Sequence, residues 1–103
     1  MKTREVIATS YTEKQWQSEV MALAKDLGWL VYHTLRSNGS EPGFPDLVLV
    51  RGERVLFIEV KTMKGKLSPA QSFWLAALSH TTVEVYLWRP SDIQEVAEVL
   101  RRR

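Results

Sequence analysis

The sequence predicts a single α/β domain whose elements run in the order α-β-β-β-α-β-α, and three observations carry that prediction. Apolar residues recur at helical spacing in Trp16, Val20, Leu23 and Leu27, and again in Trp74, Leu75 and Leu78. Between these stretches stand two short apolar runs, Leu47-Val48-Leu49-Val50 and Val55-Leu56-Phe57-Ile58, joined through Arg51-Gly52-Glu53-Arg54. A further aromatic and β-branched run, Thr82 to Trp88, follows the second helical stretch. At 103 residues the chain has the length of one ordinary domain with its own core.

Taken in order, residues 1–9 read as a lead-in arm, 10–90 as the core, and 91–103 as a closing helix with a basic end. Thr12-x-x-Gln15 has the pattern of a capping box, in which hydroxyl and amide side chains satisfy free N–H groups at the start of a helix. Gly28 is a plausible stop. Trp29 to Leu35 reads as the first strand. Residues 36–45, Arg-Ser-Asn-Gly-Ser-Glu-Pro-Gly-Phe-Pro, are nearly all loop formers and predict a mobile loop. Strands follow over about 46–51 and 54–61. Ser68-Pro69 supplies a cap and a first-position proline for the second helix, which runs to about Ser79. Thr82 to Trp88 is the fourth strand, and Ser91-x-x-Gln94 opens the last helix. A helix between the third and fourth strands implies a right-handed crossover and a parallel pair. The first three strands should form an antiparallel meander, giving a mixed central sheet flanked by helices. The middle runs are apolar at every position, which predicts a sheet covered on both faces. The four tryptophans read as core.

Composition excludes several classes. With 45% hydrophobic and 25% charged residues the chain is not of a disordered type. No apolar run approaches the roughly 18–20 residues of a membrane span, and no signal-peptide core is seen. The absence of cysteine removes disulfides, thiolate metal sites and cysteine nucleophiles. An intracellular protein without a membrane partner is expected. The net charge of +2 says little, but its distribution says more. Lys61, Lys64 and Lys66 crowd one segment and Arg101-Arg102-Arg103 closes the chain, an arrangement suited to a polyanion.

The candidate chemistry lies in Pro45-Asp46 and, thirteen positions after the aspartate, Glu59-Val60-Lys61. A two-residue loop at Gly52-Glu53, glycine first, suits a type II′ turn. Arg51 then pairs with Arg54, and the same register carried back sets Asp46 opposite Glu59, with Cβ atoms about 4.5–5.5 Å apart on one face. Lys61 projects from that face too. Two carboxylates this close repel unless a cation stands between them, and Mg²⁺ or Mn²⁺ suits oxygen ligands and phosphate chemistry. Such an ion polarises a phosphate and lowers the pKa of water, while the lysine orients or deprotonates that water or stabilises developing charge. A Glu-x-Lys at a strand end is commonly a solvated ion pair. Here the flanking positions are apolar on both faces, so the charges need a partner or a task.

These residues resemble the PD-(D/E)xK nuclease pattern. Within it, Gly43-Phe44-Pro45-Asp46, Phe57-Ile58-Glu59-Val60-Lys61-Thr62 and Gly65-Lys66-Leu67-Ser68-Pro69-Ala70-Gln71 resemble the VRR-NUC (virus-type replication-repair nuclease) domain, from about Tyr11 to Trp88. The resemblance implies a restriction-endonuclease-like αβββαβ core. It implies that Asp46, Glu59 and the main-chain carbonyl of Val60 hold the metal, that Lys61 is the catalytic lysine, and that an acidic residue on the first helix joins them. Glu13 lies about 45° from the centre of the apolar stripe and Glu19 about 75° to its other side, so Glu13 is the better candidate. Its bland alternative is complementing the helix dipole. Gln17 shares its side of the helix. Gln71 is accounted for by the Ser68-x-x-Gln71 capping box, yet it lines up with Trp74, Leu75 and Leu78, and the resemblance implies a supporting role beside Lys61. Arg36, Ser37 and Asn38, with Lys64 and Lys66, are candidates to grip a DNA backbone. His33 on the first strand is a weaker candidate at phosphate.

The expectation is therefore a Mg²⁺- or Mn²⁺-dependent DNA endonuclease, selective for branched or junction DNA in the manner of Holliday-junction resolvases, and working as a homodimer. Its expected setting is the cytoplasm or nucleoid of a bacterial host, with phage encoding an alternative. The competing readings are a flap, nick or restriction-like nuclease, and a non-catalytic DNA-binding module of a replication-repair assembly.

Overall fold

Four strands form one sheet in the spatial order β1-β2-β3-β4: Leu30–His33, Leu47–Arg51, Arg54–Val60 and Glu84–Trp88. Flanking them are the helices α1 Glu13–Asp26, α2 Pro69–Ser79 and α3 Ile93–Arg101. The computed structural model describes Ala8, residues 10–35 and residues 39–103. The lead-in arm expected over 1–9 lies almost wholly outside the described residues, as do residues 36–38 of the loop.

The first two helices start where their caps predict. Thr12 Oγ1 accepts from the Gln15 amide N–H at 3.1 Å, and Gln15 Oε1 accepts from the Thr12 N–H at 2.9 Å. Gly28 ends this helix with φ +90°, a conformation costly to any residue with a Cβ. The same reciprocal pair joins Ser68 and Gln71 at the head of α2, with Pro69 at its first position. The third start differs from expectation. Ser91 and Gln94 form no capping box; Pro90–Asp92 is a single 3₁₀ turn and the helix proper begins at Ile93. The Asp92 carboxylate accepts from the Arg89 N–H at 2.8 Å, so this segment closes on itself before the helix begins.

The hairpin register is the expected one, running from Arg51 opposite Arg54 to Leu47 opposite Ile58. Gly52 at φ +61° meets the demand of a glycine-first turn. β1 joins β2 antiparallel, and β3 pairs with β4 in parallel across the α2 crossover. β1 is shorter than predicted. Trp29 leaves the strand to bury its ring and donate its indole N–H to the Leu100 carbonyl at 2.9 Å, and Leu35 lies beyond the strand. β4 begins two residues late, because the Thr81 hydroxyl donates to the Leu78 carbonyl and accepts from the Val83 N–H, keeping residues 81–83 in the turn.

One face of the sheet holds the core. Leu47, Leu49, Leu56, Ile58, Val60 and Trp88 pack against Trp16, Val20 and Ala24 of α1 and Val96, Val99 and Leu100 of α3. The other face departs from the prediction of full cover. Phe44 meets Phe57 and Trp74 edge-on there, yet α2 buries no residue completely, and Leu30 and Tyr32 of the edge strand are 74% and 63% exposed. Three tryptophans are core as expected; Trp74 is half-buried and donates its N–H to the Pro42 carbonyl at 3.1 Å.

Candidate active site

Polar groups converge at the end of the sheet where β2 begins and β3 finishes. Asp46 stands one residue before β2. Its carbonyl accepts from the Thr34 N–H at 2.8 Å, and its Oδ2 accepts from the Val60 N–H at 2.9 Å. The carboxylate thus replaces a ladder carbonyl and prolongs the β2–β3 pairing by one bond. Pro45, just before it, is buried. Gly43 allows this approach: at φ +91°, a Cβ there would lie 2.4–2.8 Å from backbone and Cβ atoms of Ala70. The Gly-Phe-Pro-Asp segment therefore rests directly on the first turn of α2.

Glu59 is 1% exposed. Its Oε2 accepts from Gln71 Nε2 at 3.1 Å, while Gln71 Oε1 closes the cap of α2. The Gln71 amide is thus shared between the capping box and Glu59. Glu59 Oε1 is buried with no hydrogen-bond partner. Burial first, and then the negative charge of Asp46 beside it, push the Glu59 carboxyl from an ordinary 4.5 up to about 8, with Lys61 pulling the other way.

Lys61 is also buried, at 7% exposure. Its N–H donates to the Trp88 carbonyl at 3.1 Å, and the Trp16 indole N–H reaches the same oxygen at 2.9 Å. Lys61 Nζ lies 3.7 Å from Glu59 Oε2 and 3.8 Å from Glu13 Oε1, ion-pairing distances to carboxylates on two elements. Glu13 sits in the first turn of α1, which the threonine cap anchors. One turn further on, Gln17 Nε2 lies 2.8 Å from His33 Nε2.

These residues fit a divalent ion. Two carboxylates stand together, one with a buried oxygen that lacks a partner, and their mutual repulsion disfavours the doubly charged pair without a cation. Among the described residues no group of three or more His, Cys, Asp or Glu could hold a metal. Side-chain ligation would thus fall to Asp46 and Glu59, a ligand set suited to Mg²⁺, which keeps several waters and binds through one or two carboxylates. The Val60 carbonyl follows directly on Glu59, and Glu13 stands at the lysine.

Lys64 and Lys66 are exposed on the turn after Lys61. Arg36, Ser37 and Asn38 lie outside the described residues. Three contributors escape a reading of the sequence: the Thr34 N–H, the shared Trp88 carbonyl with its Trp16 donor, and Arg89. Arg89 Nη1 donates to the Thr62 and Gly65 carbonyls at 2.6 and 2.7 Å, fixing the turn that follows the lysine. The only signal for the last is its place directly after the strand paired in parallel with β3.

The mixed sheet, its flanking helices and the carboxylate–lysine cluster define a nuclease-type α/β domain. Residues 3–92 match the VRR-NUC domain, and the chain belongs to that family. A solved structure described as a VRR_NUC domain protein shares the fold with a TM-score of 0.67 at 24% identity, over 88% of this chain and 86% of the other. A search of curated proteins returned no match.

Proposed function

We propose that this domain is a metal-dependent endonuclease that hydrolyses DNA phosphodiesters with water as nucleophile. The observation that carries the reading is the buried Glu59, pushed up to about 8 beside Asp46 with one oxygen unpartnered and Lys61 at 3.7 Å. A structural ion pair needs one carboxylate for its lysine, whereas a second one crowded beside it is a destabilising arrangement that calls for a cation. A bound Mg²⁺ or Mn²⁺ would supply a Lewis acid for the phosphate and a lowered pKa for attacking water. Asp46 and Glu59 would hold it with the Val60 carbonyl, Gln71 orients Glu59, and Lys61 would present its Nζ to the attacking water and to the charge developing on phosphate. Glu13 holds Lys61 from the helix side. The exposed Lys64 and Lys66 would grip the flanking backbone, together with Arg36, Ser37 and Asn38.

Branched or junction DNA is the proposed substrate, cut by a homodimer. One small domain carries one site and little surface for reading sequence, so paired cuts at a branch need a second copy. The exposed Leu30 and Tyr32, alternating onto one face of an edge strand, offer an apolar surface for that copy. The test is cleavage of matched duplex, nicked, flap and four-way DNA with Mg²⁺, Mn²⁺ or chelator. Metal-dependent cutting of the four-way substrate, lost on Asp46→Ala and Lys61→Ala, is expected. Preference for a flap or nick would reassign the substrate, and undiminished cleavage by both variants would remove the site. Sedimentation showing a strict monomer at micromolar concentration would remove the dimer.

A further inference from the structure

Beside the catalytic lysine a half-open cleft of about 220 Å³ runs between the start of α1 and the turn after β3, lined by Tyr11, Thr62, Met63 and Lys64. It is smaller than the roughly 300 Å³ at which small-molecule pockets begin, so it suits one planar group. Its walls have the composition of a single-strand nucleic-acid site: an aromatic ring, a thioether, a hydroxyl and an ammonium group. They are also held in place. Tyr11 meets the buried Trp16 edge-on at 5.7 Å, and its hydroxyl is tied to Glu19, which raises the phenol's pKa. The opposite wall is the turn clamped by Arg89 through the Thr62 and Gly65 carbonyls. Gly65 seats that turn on the lysine itself, since a Cβ there would lie 3.4 Å from Lys61 Cδ and 3.0 Å from Thr62 Oγ1. The cleft is thus walled by the turn that directly follows Lys61 and packs on its side chain through Gly65.

We propose that this cleft is a nucleotide subsite, in which the base next to the cleaved phosphate stacks on Tyr11 against Met63 while Lys64 and the Thr62 hydroxyl hold its backbone phosphate. The proposal rests on the nuclease reading and gives it a second function, setting which backbone position lies at Lys61. Anchoring one base fixes the strand's register against the site, independent of base identity because every base offers a π face.

Cleavage and equilibrium binding, the latter without divalent ion, are measured for the wild type, Tyr11→Phe and Tyr11→Ala on single DNA strands. The strands are intact or carry one abasic position on either side of the cut. Tyr11→Ala should raise KM and Kd about tenfold, the order of one lost base–aromatic stack, with kcat unchanged; Tyr11→Phe, which keeps the ring and its contact with Trp16 but loses the tie to Glu19, should lose less than Tyr11→Ala. One abasic position should weaken the wild type by the same factor and abolish the difference between wild type and Tyr11→Ala. An equal penalty for Tyr11→Ala on every strand would make Tyr11 structural and overturn the subsite, as would wild-type behaviour of Tyr11→Ala on intact DNA. Binding decides the subsite whether or not the wild type cuts. The expected binding pattern with no metal-dependent cleavage of single-strand, duplex, flap or four-way DNA would sink the nuclease reading alone.

Discussion

Gln71 gives its amide nitrogen to Glu59 and its amide oxygen to the cap of α2, so one side chain joins the head of a helix to a buried carboxylate. Gln71→Glu separates the two roles. Glutamate also serves the capping box, so the start of α2 should persist, while a third carboxylate replaces the donor to Glu59 and should lower the melting temperature of the metal-free protein at neutral pH. Cleavage is expected to fall about tenfold or more. Gln71→Ala should lose the activity and, with the cap, about 1 kcal/mol of stability by denaturant titration.

Glu59 makes the metal-free protein pH-sensitive in a definite direction. Its carboxyl lies at about 8 in the fold against an ordinary 4.5, so the folded state keeps a proton that the unfolded chain releases between those values. The stability this group contributes is full below about pH 4.5 and is lost as pH rises through about 8. With chelator present, the melting temperature should drop between pH 5 and 8.5, at roughly 4–8 °C per kcal/mol for a domain of this size. Glu59→Gln should flatten that slope and melt higher at pH 8 while abolishing cleavage. Added Mn²⁺ should raise the melting temperature of the wild type at pH 8 by favouring the charged fold. Absence of both the slope and the metal response would show that the two carboxylates are not coupled.

Asp46→Asn tests charge apart from geometry. Asparagine keeps an oxygen to accept the Val60 N–H, so the fold should persist. Cleavage should fall at least about 100-fold, and Glu59 should titrate lower once its charged neighbour is gone. Carboxyl chemical shifts followed by NMR titration would read this directly. An unmoved Glu59 titration would contradict the pairing.

Gly43→Ala should be costly although it lies outside every helix and strand. Its φ of +91° strains any side chain, and the added carbon would lie 2.4 Å from the Ala70 backbone. A loss of roughly 1–3 kcal/mol is expected, together with reduced activity as Asp46 shifts. Unchanged stability and activity would mean that the approach to Asp46 is freely deformable.

Local rules made much of this legible in the sequence. The Gly52 turn determined the β2–β3 register, and two capping boxes fixed where α1 and α2 begin. The same kind of pattern failed at Ser91, where Asp92 closed the turn on Arg89 first. Contacts made by the main chain were hidden for a physical reason: any residue carries an N–H and a carbonyl, so neither Thr34 nor Trp88 announces its role by type. Tertiary cover was hidden as well. The apolar runs of β2 and β3 show that both faces can be buried, but not that α2, tied to its crossover, leaves β1 largely bare.

The hydrogen bond from the Val60 N–H to Asp46 Oδ2 gives the two carboxylates opposite mechanical signs. Asp46 fastens a strand end, while Glu59 holds an unmet oxygen in the interior. A lineage released from catalysis would gain stability by shedding Glu59 and lose it by shedding Asp46. Decayed copies of such a domain should therefore discard the glutamate first and keep the aspartate as a fossil of the trade.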